Sequence, residues 1–175
     1  MQTATVGPTS CSVKSSSKAV TDGARMPVLI REVTPNEQRT ICAGIHSHCV
    51  VCGVENPQGM HLQFCRDHNG GIVGRFQCDP KYAGYPQILH GGIVASLLDG
   101  AMTNLLFADG VRAMTAELVV RFRRPVRVSD PAIVSATRRK SHPPLYVLKA
   151  RLEQGGCVCA TAVGKFLQNC GATGQ

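Results

Sequence analysis

A chain of 175 residues suits one domain with a real hydrophobic core plus some tail, and no apolar run reaches the roughly 18 residues that a membrane span needs. Nine cysteines, an odd number at irregular spacing, favour reduced thiols in a cytoplasmic protein over a disulfide scaffold. A net charge of +8 suits a polyanionic ligand or simply a solvated cationic face; with three tyrosines, five phenylalanines and no tryptophan to stack bases, nucleic acid is the weaker reading.

Residues 1–40 start Ser/Thr-rich and carry no aromatic side chain, so they read as a flexible extension, with Pro27 to Ile30 as a short strand or docking segment. Neither a basic-led apolar segment nor an arginine-bearing amphipathic helix is present there, which argues against a secretory or targeting peptide. The domain proper is expected at 41–168, followed by a mostly polar tail at 169–175.

The domain opens with His46 and His48 just before a Cys49-x-x-Cys52 pair. A metal knuckle is one reading. Four ligands within seven residues would crowd a tetrahedral ion and no second C-x-x-C follows, so a turn, with no metal, is the preferred reading. Asn56-Pro57 and Gly59 then turn the chain into a strand at Met60 to Phe64, and Asn69-Gly70-Gly71 returns it as Ile72 to Phe76. Asp79 to Pro86 reads as a loop whose Tyr82 and Tyr85 could line a pocket. Gln87 is the only side-chain amide close before His90.

His90-Gly91-Gly92 then starts a run that is apolar on nearly every side: Ile93, Val94, Leu97, Leu98, Ala101, Met102, Leu105, Leu106 and Phe107. The pattern predicts a helix of about four to five turns, largely enclosed, that stops at Asp109-Gly110. Its one central carboxylate is Asp99, a costly residue to bury. Free N–H groups at the Gly91 end favour an oxygen gaining negative charge, and Asp99 suits a general base or nucleophile. At about 1.5 Å per residue the two lie roughly 12 Å apart along one axis. A two-fold related copy could bring them together, so the sequence predicts a site shared across a homodimer.

A long alternating strand follows, with Met114, Ala116, Leu118, Val120 and Phe122 on one face and Thr115, Glu117, Val119, Arg121 and Arg123 on the other. Glu117 is expected to pair with a neighbouring arginine. Another strand runs Ala132 to Thr137, and the cationic Arg138-Arg139-Lys140 is expected at a hairpin turn, where it is either a phosphate clamp or a charged, soluble turn. Leu145 to Glu153 and Cys157 to Leu167 form the last hairpin, with Cys157 and Cys159 on one face.

The pattern HGGIVASLLDGAM followed by TAELVVRFRRPV resembles the hotdog-fold acyl-CoA thioesterases, in their phenylacetate-degradation (PaaI-type) branch, over roughly Cys49 to Gln168. The resemblance implies an α+β fold in which one long central helix is wrapped by an antiparallel sheet; about six strands are counted here. It implies a carbonyl contact at Gly91 with His90 supporting the turn, the acid at Asp99, and a hydroxyl near the attacking water at Thr115. Gln87, Gly92, Tyr85, Arg121, Arg138, Arg139 and Lys140 are the substrate-binding candidates. No cofactor is expected beyond the coenzyme A of the substrate, and the assembly is expected to be a homodimer or a dimer of dimers. A non-catalytic acyl-CoA-binding protein of the same fold is the alternative.

Overall fold

The computed structural model describes residues 46–168, and the expected extension at 1–40 and tail at 169–175 lie outside the described residues. In chain order the elements are strands β1 (Phe64–Arg66), β2 (Ile72–Gln77), β3 (Ala83–Tyr85) and β4 (Ile88–Leu89), helix α1 (Gly91–Ala108), then β5 (Ala113–Phe122), β6 (Pro131–His142), β7 (Leu145–Gln154) and β8 (Cys157–Gln168). Six strands form one antiparallel sheet in the order β1-β2-β6-β7-β8-β5, and β3 pairs with β4 beside it. This is the expected α+β architecture: one helix, one wrapping sheet.

The helix holds the centre because its apolar side chains go nearly all the way round. Val94, Leu97, Leu98, Ala101, Met102, Leu105 and Leu106 are buried, meeting Val134, Leu148, Leu152, Ala160 and Phe166 from the sheet. The turn at 46–62 covers a second side, where Val51 lies against Gly100. By length and composition the helix could cross a bilayer; here protein encloses most of it. Among the described residues, nothing fully covers the stripe Ser96, Asp99 and Thr103, at helical spacing. Gly110, at φ +73°, takes the left-handed conformation that ends the helix, and its N–H and that of Val111 bond back to Phe107 and Leu106.

Four local expectations are corrected. The first strand lies at Phe64–Arg66, not Met60 to Phe64, because His61 has φ +50° and the N–H groups of Met60 and Leu62 bond to Val50 and Val51. The segment Asp79 to Pro86 is not all loop: it holds a 3-10 turn at Pro80–Tyr82 and the strand β3. Strand β6 continues to His142, so Arg138, Arg139 and Lys140 lie within it and the hairpin turns at Pro143-Pro144, whose peptide bond is cis. Cys157 is exposed and Cys159 buried, because Cys159 is an extra residue between the Glu153–Val158 and Leu152–Ala160 pairs.

Candidate functional site

His90 caps the helix with its own side chain: Nδ1 accepts the Gly92 N–H at 2.9 Å, while its carbonyl accepts from Ile93 and Val94. Two glycines make room for that imidazole. A Cβ on Gly84 would come within 2.9 Å of the ring, and one on Gly92 within 3.0 Å. The His90 N–H is used too, donating to Tyr82 in the 3-10 turn. The N–H of Gly91 is left with no acceptor among the described residues, on an exposed residue at the positive end of an 18-residue helix. Beside it lies Phe122, at the far end of β5, within 3.6 Å of where a Gly91 Cβ would be.

Asp99 is half-buried two turns along, and Thr115 Oγ1 donates to its Oδ1 at 2.8 Å. Burial pushes the Asp99 carboxyl above the usual carboxylate range; the Thr115 bond and the electrostatic influence of His46 oppose that rise without cancelling it. The strand reaches Asp99 because it is bulged. Thr115 pairs with Phe166 and Glu117 with Lys165, which leaves Ala116 as an extra residue. Simple alternation put Thr115 opposite Leu118 and Val120. The bulge instead turns all three, with Ala113, toward the helix, and leaves Met114 70% exposed. Glu117 pairs with Lys165 Nζ at 2.8 Å, not with an arginine.

The other candidates divide by location. Tyr85, the last residue of β3, and Gln87, in the short β3–β4 connection, are exposed just before the helix start, and Gln87 has φ +63°, a conformation that a residue other than glycine seldom adopts. Arg121 faces away from the helix, into a groove of about 640 Å³ on the outer side of the sheet that it shares with Val119, Arg123, Lys149, Arg151 and Glu153. The structure does not bring it to Asp99. Arg138 pairs with Asp109, which also receives Arg66 Nη2 at 2.6 Å, so its guanidinium is held at the C-terminal end of the helix. Arg139, the extra residue of a second bulge, and Lys140 are exposed on the same strand.

Three side chains that could hold a metal ion come together at the 46–53 turn. His46 Nδ1 lies 3.7 Å from Cys52 Sγ, and the ligand atoms of His46, Cys49 and Cys52 all fall within 4.8 Å of one another. His48 is not among them; it points to solvent near Glu55. Burial pushes the Cys49 thiol up. Two contacts had no clear signal in the sequence. Phe122 is only the last apolar residue of an alternating run, and Asn104, 2% exposed, donates to Cys52 Sγ from inside the helix. An amide in an otherwise apolar helix was the available clue for Asn104.

Comparison with known proteins bears on what this arrangement does. The acyl-CoA thioesterase N-terminal domain family matches residues 80–167, which hold the helix start, Asp99 and Thr115. The acyl-coenzyme A thioesterase THEM4 of Bos taurus is 31% identical over 85 residues, 48% of this chain but 35% of that protein, so the match spans about a third of the cattle protein's length. A thioesterase superfamily protein of known structure is 25% identical with a TM-score of 0.66, over 70% of this chain and 61% of its own. The PaaI protein of E. coli, from the phenylacetic acid degradation operon, is 18% identical and shares the fold at a TM-score of 0.62, over 75% of this chain and 95% of its own.

Proposed function

Because this chain belongs to the acyl-CoA thioesterase N-terminal domain family, we propose that it hydrolyses the thioester of an aryl- or fatty acyl-CoA to the free acid and coenzyme A, in a site shared by two copies. The observation that carries this reading is the half-buried Asp99 carboxylate, oriented by Thr115, on the stripe of the helix that the described residues leave partly open. The substrate carbonyl accepts the Gly91 N–H, which stabilises the oxyanion as it forms. Asp99 of the other copy takes a proton from water, the water oxygen attacks the carbonyl carbon, and the C–S bond breaks as the sulfur leaves and collects that proton. Thr115 donates to Oδ1 and so leaves Oδ2 for the water.

The placement of β5 on the helix supports the sharing. Its Thr115 end touches Asp99 and its Phe122 end touches Gly91. β5 is also an edge strand, with Met114, Val119 and Phe122 at 70%, 50% and 59% exposed. An antiparallel pairing of β5 with its own copy exchanges the two ends, setting the Gly91 of one chain beside the Asp99 of the other.

The alternative is an acyl-CoA-binding protein without catalysis. The test is free-thiol release from aryl and short to long aliphatic acyl-CoA esters. Wild-type turnover, lowered about 10²- to 10⁴-fold by Asp99→Asn, is the expected result. Tight binding of those esters without thiol release would favour the alternative. An Asp99→Asn protein as fast as wild type on every cleaved ester would remove Asp99 from the reaction.

A further inference from the structure

The turn that carries His46, Cys49 and Cys52 is built more like a ligand frame than like a loop with polar residues on it. The chain folds back tightly: the Gly53 N–H donates to the Cys49 carbonyl at 2.9 Å, and a Cβ on Gly53 would lie 2.4 Å from both Cys49 N and Ser47 O. Only glycine fits there. The fold-back turns the Val51 amide onto Cys49 Sγ at 3.4 Å, and Asn104 brings its side-chain amide onto Cys52 Sγ, also at 3.4 Å. Each sulfur therefore accepts an N–H bond, which stabilises a thiolate more than a thiol. The third donor, His46, is steadied edge-on against Phe107, with ring centroids 4.8 Å apart.

We propose that His46, Cys49 and Cys52 bind one zinc-class divalent ion, which fastens the 46–53 turn to the central helix. For a tetrahedral zinc ion with Zn–S about 2.3 Å and Zn–N about 2.0 Å, the S···N edge is about 3.5 Å and the S···S edge about 3.8 Å. The observed 3.7 Å between His46 Nδ1 and Cys52 Sγ is close to the first, and all three ligand atoms already lie within 4.8 Å of one another. Cys49 and His46 are partly exposed, so an ion has a way in, and a water molecule would complete the tetrahedron. On binding, each thiol gives its proton to solvent and the imidazole coordinates as the neutral ring. The objection of crowding disappears once His48 is out of the set, since only three residues of the run converge.

The mechanical consequence is local. Val51, between the two cysteines, packs on Gly100, one residue beyond Asp99, and the Cys52 sulfur reaches Asn104 a turn further on. An ion there holds the second cover of the helix in place.

The test uses the full chain, purified reduced, stripped with a chelator and titrated with Co²⁺. One cobalt per chain, with thiolate-to-cobalt charge-transfer absorption and the visible bands of a tetrahedral site, both abolished by added Zn²⁺, is the expected result. Cys49→Ser should lose much of the charge-transfer intensity, His46→Gln should weaken binding about tenfold or more, and Asn104→Leu should weaken it about 10- to 100-fold. His48→Gln should bind as wild type. Circular dichroism of each variant shows whether it is folded, and His46→Gln, at the edge of the turn, tests the site with no change to the core. Absence of thiolate–cobalt absorption in the reduced wild-type chain would overturn the proposal, as would an unchanged spectrum and affinity in folded Cys49→Ser.

Discussion

Asp99 is held at a cost that its environment does not fully offset. Burial raises its pKa above the ordinary 3.8, so between 3.8 and the folded value the native chain holds a proton that the unfolded chain does not. Stability linked to this group is therefore present at low pH and lost as pH rises through the folded pKa. Asp99→Asn keeps an acceptor for Thr115 and removes the charge. It should raise the melting temperature at neutral pH, with the gain shrinking to nothing below about pH 3.8, as thermal unfolding across pH would record. With Asp99 as the proposed base, the same shift should set the acid limb of the rate profile above the usual carboxylate range. Thr115→Val deletes a bond that lowers the Asp99 pKa, so it should move that limb to higher pH while lowering kcat about 10- to 100-fold. An unmoved acid limb would mean that Thr115 is only packing. Gly91 admits a cleaner test. It is the first helical residue after a cap with φ −61° and ψ 136°, a backbone that accepts proline next, and a Cβ there meets Phe122 at an ordinary 3.6 Å. Gly91→Pro should fold as wild type, lose its one free amide donor, and fall about 10²- to 10³-fold in kcat.

Among the elements, the helix was the easiest to read and the strands the least. Continuous apolar character from Ile93 to Phe107, bracketed by His90-Gly91-Gly92 and Asp109-Gly110, predicts both its ends and its enclosure, because caps and burial are written in local residue types. Strand faces are not. Extra residues at Ala116, Arg139 and Cys159 each shift the alternation by one, and a bulge leaves no local signature when the residue inserted is an ordinary one. One such shift brings Thr115 to Asp99, so the site's central hydrogen bond was legible as a residue type but not as a direction. Arg121 is the converse: strict alternation put it with Thr115, and the bulge sends it to the other side of the sheet. The C-x-x-C turn was legible as a turn, whereas its seat on the helix depends on Gly100 leaving room for Val51. Gly100→Ala would place a Cβ 2.7 Å from Val51 Cγ1. It should lift the turn and cost about 1–3 kcal/mol of stability, measured by denaturant unfolding, even though alanine favours helix.

For the molecule as a whole, the proposed reaction needs two half-sites that one chain's own helix keeps apart. Gly91 and Asp99 are separated by about 12 Å of rigid axis, and no side-chain rotation closes that distance. The edge strand β5 offers the means of joining them, and Val119→Lys, placing a charge at the middle of that edge, should give a folded monomer with little turnover, as sedimentation together with thiol release would show. The most direct test mixes the two damaged halves. Gly91→Pro and Asp99→Asn chains, each nearly inactive alone, are unfolded together in equal amounts and refolded. A shared site predicts that half of the dimers are mixed and that each mixed dimer has one intact centre, so activity returns to about a quarter of wild type. Activity no higher than that of the two parents, with mixed dimers demonstrably formed, would contradict the account.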